Sequence, residues 1–228
     1  MIRTQAHACY CAMAIGVSVL GGPGVSTTRP QDRKPLPPAD LSGKMPLEQT
    51  IATRRSIREF APRPLTPEQI GQLCWAGQGI TDRSSGYRAA PSAGALYPVE
   101  LYLVTREGID HYLPRDHALM PHQAGDVRRE LQRASIDQDC VGDAPLTIVI
   151  AAVVDRSARK YRGRAERYCF IEAGHVAQNI LLQATALGLS GVPVGAFEDE
   201  RVAQVLQLPK DARVLYLLPI GYPPGGER

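Results

Sequence analysis

Arg54, Arg55 and Ser56, with Arg58 just beyond them, put three guanidinium groups and a hydroxyl within a few residues of one another. Forked, permanently charged donors beside a hydroxyl suit a phosphate, although the same residues would also serve as a solvated basic turn. A second stretch, "PSAGALYP" from Pro91 to Pro98, carries small side chains just ahead of an apolar strand. Small residues leave the main chain bare where something flat or crowded must come close. A third, "RSARKYRGRAERY", contains Lys160 and Tyr161, an amine and a phenol that could share a proton or simply decorate a basic surface. Glu172, His175, Asn179 and Gln183 recur at helical spacing on an otherwise apolar run, where a hydrogen-bonded core or interface role suits His175 better than that of a base.

Other chemistries are excluded by what the chain lacks. It has no G-x-G-x-x-G after a strand, no phosphate-binding loop ending in Lys, no H-E-x-x-H and no G-x-S-x-G elbow. The five cysteines, Cys9, Cys11, Cys74, Cys140 and Cys169, are odd in number and include no C-x-x-C, so neither a disulfide framework nor a zinc site is indicated. The last three are expected as buried small hydrophobes. A net charge of +3 on 26 basic and 23 acidic residues gives no footprint for nucleic acid.

The elements that must hold these groups are legible in part. The 228 residues fit one domain preceded by a tail. Residues 1–45 comprise an apolar, signal-like leader, too short to span a membrane stably, and a polar, proline-rich linker. The folded domain is expected over residues 46–228. "PLEQTIAT" suits a short helix from Pro46 to Thr53. "LTPEQIGQLCWAG" predicts a helix capped by Thr66, with Pro67 first, a capping box through Gln69, a Leu65–Ile70 staple, and Gly77 as its stop. Strands are predicted at Val99–Val104, Leu146–Val154 and in "RVLYLLPIGYP", the second apolar on both faces and therefore central. A polar helix is expected around Asp126–Ile136 and a long, mostly apolar one from Tyr168 to Leu189, with Gly188 at its stop. Helices and strands mix without a regular βαβ rhythm, which favours an α+β layered fold.

In their order and separation, "RRSIREF", "PSAGALYP" and "GLSGVPVGAF" resemble the nitroreductase family of FMN-binding oxidoreductases, over Leu47 to about Tyr222. "LCWAGQGIT", "RKYRGRAERY" and "EAGHVAQNILLQATALGL" make the chain more narrowly similar to the SagB-type branch, the azoline dehydrogenases. The resemblance implies a central mixed or antiparallel sheet flanked by helices, with FMN at a homodimer interface. It implies that Arg54 and Ser56, assisted by Arg55, hold the phosphate and ribityl end, and that Arg58 stands near the pyrimidine edge, where reduced flavin carries negative charge. Ser92, Ala93 and Gly94 would reach the ring from the partner subunit. A main-chain N–H of Val194 or Gly195, within "PVGAF", would approach flavin N5, and Arg228 would reach the phosphate. Many family members carry Glu where this chain has Gly195, which loosens the likeness to enzymes that take nicotinamide directly.

The SagB-type likeness further implies that Lys160 and Tyr161 assist proton removal while hydride leaves for N5. The substrate would be a small-molecule or peptide-borne heterocycle. An NAD(P)H-dependent nitro- or quinone reductase is the alternative activity, with NAD(P)H as electron donor, and a non-catalytic flavin-binding partner subunit is the alternative outside enzymes. A cytoplasmic location is preferred over export.

Overall fold

Thr66 caps a helix in the computed structural model, which describes residues 33–225. Its hydroxyl accepts from the Gln69 N–H at 3.3 Å, and the Gln69 side chain accepts from the Thr66 N–H at 3.0 Å. This reciprocal pair, with Pro67 at the first helical position, fixes where the helix begins.

In chain order the elements are β1 (Lys34–Pro35), α1 (Leu47–Thr53), α2 (Pro67–Gln78), β2 (Ile80–Asp82), β3 (Tyr87–Arg88), β4 (Val99–Val104), β5 (Gly108–Leu113) and β6 (Ala118–Ala124). There follow α3 (Arg128–Ala134), α4 (Asp139–Asp143), β7 (Leu146–Val153), α5 (Val154–Tyr161), α6 (Ala165–Ala186), β8 (Ser190–Gly191), α7 (Asp199–Val205) and β9 (Ala212–Gly221). Seven strands form one sheet in the order β1-β6-β5-β4-β7-β9-β8, and β2 with β3 forms a separate ribbon. Among the described residues every pairing between these strands is antiparallel.

β7 is an interior strand, as its two-faced apolar sequence predicts, between β4 and β9. Its Ile148 and Ile150 join Leu101, Leu103, Leu218 and Ile220 on the face covered by α2 and α6. Val149 and Ala151 point the other way, with Tyr102, Val104 and Leu217, towards α3, α4 and α7. The two-residue period of the strands thus feeds two cores, one per face. Each fully buried aliphatic side chain in them contributes about 1.5–3 kcal/mol. Cys74, Cys140 and Cys169 are free and buried, as expected.

Gly77 does not end α2. The helix runs to Gln78, and the Gly79 N–H closes it on the Trp75 carbonyl at 2.8 Å. A Cβ on Gly77 would lie 2.8 Å from Ile180 Cδ1, so this glycine serves the close approach of α2 to α6. Gly188, by contrast, is the stop the sequence predicts: its φ is +71°, and the Leu189 N–H turns back to the Ala184 carbonyl at 2.8 Å.

The proline-rich approach to Pro46 is pinned from Lys34 onward. β1 pairs with the outer edge of β6. The Asp40 N–H donates to Gln72 Oε1 at 2.8 Å, and Gln72 Nε2 donates to the Asp40 carbonyl at 2.9 Å. The signal-like leader and Arg228 lie outside the described residues. Among the described residues no helix is long and apolar enough to cross a membrane.

Candidate active site

Arg54 terminates α1, its N–H donating to the Thr50 carbonyl at 3.0 Å. The chain then runs alongside the segment that leads from β8. Ser56 forms a parallel bridge with Gly191, and the Ile57 N–H donates to the Gly191 carbonyl at 3.2 Å. This short parallel contact sets Ser56 and Ile57 beside Gly191, at the start of the segment that runs on to Gly195. Among the described residues none of Arg54, Arg55 and Arg58 forms an ion pair. Arg55 is committed in part to its own helix end, where Nη1 donates to the carbonyls of Ala52 and Arg54. Arg58 is exposed, and its charge reaches Cys140 of α4, whose thiol burial otherwise pushes up.

Val194 and Gly195 differ in what their main chain has left to give. The Val194 N–H donates to the Leu217 carbonyl at 2.8 Å and its carbonyl accepts from the Leu217 N–H at 3.0 Å, so both groups are spent on β9. Gly195 is exposed, and a Cβ there would meet only Tyr216 Cε2 at 3.7 Å.

A second group assembles around the 92–97 loop. Ala93–Ala95 is a single 3₁₀ turn in which Gly94 has φ 62°. Ala95 and Tyr97 also hold positive φ, at 53° and 48°. Three left-handed residues in so short a loop persist only under outside restraint. That restraint is a polar network. Ser92 Oγ accepts from the Tyr97 N–H at 2.9 Å, and the Tyr97 hydroxyl accepts from the Arg88 N–H at 3.0 Å. The Arg88 guanidinium lies 4.5 Å over the Tyr97 ring and donates to Gln78 Oε1 at 2.9 Å. Arg156 of α5 donates to the Tyr97 carbonyl and, at 2.7 Å, to Glu100, whose other oxygen meets His111 Nε2 at 3.0 Å. Burial opposes ionisation of Glu100, but His111 and Arg156 outweigh it and hold its carboxyl below the usual range.

Glu172 of α6 is 2 % exposed and accepts from the Val99 N–H at 3.4 Å. Burial pushes its carboxyl up, against hydrogen bonds from Ser92, Val99 and Gln78 and the charge of Arg88. The sequence marked Glu172 only as one member of a polar stripe, and the structure separates that stripe by role. Asn179 donates to the Ala89 carbonyl at 3.4 Å and Gln183 accepts from Gln72 at 3.2 Å, whereas His175 is exposed. Arg88, Tyr97, Glu100 and Arg156 gave no signal as site residues, because their spacing in sequence follows no one element.

Lys160 and Tyr161 close the loop from above. A Cβ built on Gly94 would fall 2.6 Å from the Tyr161 hydroxyl and 2.8 Å from Lys160 Nζ. The Tyr161 ring is braced edge-on by Tyr168 at 4.9 Å, with Lys160 Nζ 5.4 Å from its centroid. Ser92, Gly94, Lys160 and Tyr161 therefore form one cluster within a single chain.

The two groups lie at opposite ends of α6. Arg55 and Ile57 share a groove of about 500 Å³ with Thr185, Gly188 and Leu189, at the C-terminal end. The Gly94 cluster meets Tyr168 and Glu172, near the N-terminal end. From Tyr168 to Thr185 the helix rises about 25 Å.

The chain matches the Nitroreductase family model over residues 51–222. It is 39% identical over 181 residues to a Methanocaldococcus jannaschii protein named as a nitroreductase, covering 77% of this chain and 90% of that one. The Escherichia coli microcin B17-processing protein McbC is 29% identical over 138 residues, 56% of this chain and 51% of its own length. A crystal structure from Ralstonia eutropha, also described as a nitroreductase, superposes with a TM-score of 0.78 at 31% identity, over 90% of this chain and 95% of that one. The NADPH:FMN oxidoreductase of Vibrio harveyi superposes with a TM-score of 0.60 at 26% identity, over 80% and 71%. With its antiparallel sheet between helical layers, the chain belongs to the nitroreductase family.

Proposed function

We propose that the protein is an FMN-dependent, homodimeric oxidoreductase of the SagB-type, dehydrogenase-like branch, exchanging hydride at flavin N5. The observation that carries this reading is the separation of the two residue groups along α6. A rise of about 25 Å exceeds what one mononucleotide spans between phosphate and ring. A second chain with its α6 antiparallel would bring the Gly94 cluster of one copy against Arg54–Arg58 of the other. The faces suit that arrangement. Phe170 and Ile171 are 52% and 48% exposed near one end of α6, and Leu47 and Ile51 of α1, which packs on α6, are 60% and 56% exposed.

The residues fit the cofactor. Arg54 and Ser56 would take the phosphate and ribityl end, with Arg55 assisting through the donors its helix end leaves over. Arg58 would face the pyrimidine edge, where a fixed cation favours negative charge. Gly195, rather than Val194, would present its N–H towards N5, since the Val194 N–H already donates to Leu217. Ser92, Ala93 and Gly94 would lie along the ring from the partner subunit. When bound, FMN supplies two-electron chemistry at N5. The proton that leaves substrate beside the hydride would be taken at the Lys160–Tyr161 pair.

The likeness to McbC favours a peptide-borne or small heterocycle as substrate. The likeness to the Vibrio harveyi oxidoreductase supports a second reading, NAD(P)H as donor with a nitro or quinone acceptor. The absorbance spectrum of purified protein tests the common core: bound oxidised flavin is yellow, and NADH that bleaches it selects the second reading. Tight FMN that neither NAD(P)H nor any heterocycle reduces would make the chain a flavin-binding subunit instead. Arg54→Ala should weaken FMN binding by about 1.5–3 kcal/mol, read by flavin fluorescence titration. Unaltered affinity removes Arg54 from the phosphate site.

A further inference from the structure

Between Asp155 and Arg167 the chain carries six cations against two carboxylates, an excess larger than the net +3 of the whole molecule. One carboxylate, Glu166, is taken by Arg213, which comes from β9. Of the cations, Arg156 is committed to Glu100 and the Tyr97 carbonyl. Arg159, Lys160, Arg162, Arg164 and Arg167 are all exposed and, among the described residues, form no ion pair.

Their placement separates them from an ordinary solvated face. α5 is capped by Arg162, whose φ of 49° and ψ of −123° are costly for a residue with a side chain. That turn leads directly into a 3₁₀ turn at Arg162–Arg164 and then into α6. The charged run is thereby folded back beside Lys160 and Tyr161, which rest on Gly94. A rim of one sign beside a reaction cleft concentrates ions of the other sign.

We infer that this α5–α6 rim is a recognition surface for a fixed negative charge, a carboxylate or phosphate, on the reactant that meets the flavin. The inference rests on the proposed flavin site. It names a chemical class that two sources could supply: the 2′-phosphate of NADPH, or a carboxylate on the oxidised or reduced substrate. Because the cations are exposed, their pull is screened by salt, with a Debye length of about 8 Å at physiological ionic strength.

Two matched pairs of probes separate the sources: NADPH against NADH, and 4-nitrobenzoate against 4-nitrobenzamide. Their binding to FMN-loaded full-length protein is measured by calorimetry at low and high salt. In at least one pair the member with the additional charge should bind about tenfold more tightly at low salt, the ratio shrinking as salt rises. Which pair shows it identifies the source. In Arg159→Gln/Arg164→Gln that ratio should fall towards one, while thermal unfolding reports that the double variant is folded. Equal affinities within both pairs, or a ratio that the double variant leaves intact, overturn the inference. Flavin absorbance is read on the same samples, so protein that holds no FMN fails the flavin reading separately from the rim.

Discussion

Gly94 does two things at the level of single residues: it adopts a φ of 62°, and it leaves room for the Tyr161 hydroxyl and Lys160 Nζ. The two demands can be told apart. Gly94→Ala adds a methyl against both groups and strains the backbone; trimming Tyr161 to Ala relieves only its own share of the crowding and leaves Lys160 Nζ and the strain in place. In a double-mutant cycle read by thermal unfolding and FMN affinity, Gly94→Ala should cost less in the Tyr161→Ala background, by about 0.5–3 kcal/mol. Strictly additive penalties would mean that the pair does not rest on this glycine. Sequence alone supplied the identities here, since small residues and a Lys-Tyr pair are visible as types. It could not supply their contact, because Gly94 and Tyr161 are joined only through the folding of β4 and α5 onto α6. Val194 and Gly195 show the same limit: both are bare-peptide candidates in sequence, and only pairing with Leu217 distinguishes them.

At the scale of elements, signals held in a few adjacent residues are legible in the sequence and composite ones are not. The capping box of α2, the two-faced apolar run of β7 and the glycine stop of α6 each reside in a few adjacent residues. β5 and β6 carry no legible strand pattern because "GIDHYL" and "ALMPHQA" contain Asp, His and Pro, and their pairing includes a register shift at Ile109/Asp110. α6 is tied to the entry of β4 by Glu172, a connection with a measurable pH signature. Burial raises the Glu172 pKa on folding, so as pH climbs the unfolded chain releases this proton first. Its contribution is therefore fully present in acid and is lost as pH rises from the ordinary carboxylate range through the raised folded value. Glu172→Gln cannot ionise, so its stability relative to the parent should improve steadily over that interval. Denaturant unfolding from pH 4 to 8 measures this, and parallel curves for the two proteins would refute it.

For the molecule as a whole, the proposed site makes cofactor binding and association a single event. Ile171→Lys places a charge on the face through which α6 would meet its counterpart and forfeits about 1.5–3 kcal/mol of apolar burial per copy. Sedimentation should then show monomers, and flavin fluorescence should show FMN released with them. Monomers that retain parental FMN affinity would rule out a site built from two chains. The edges of the sheet matter at this scale too. β6 offers seven residues of main chain on its outer side, and among the described residues only Lys34 and Pro35 pair with part of it. A protease that cut after Met45 would strip that cover and leave peptide groups free to recruit extended strands from other molecules, so the proline-rich approach also guards against precipitation.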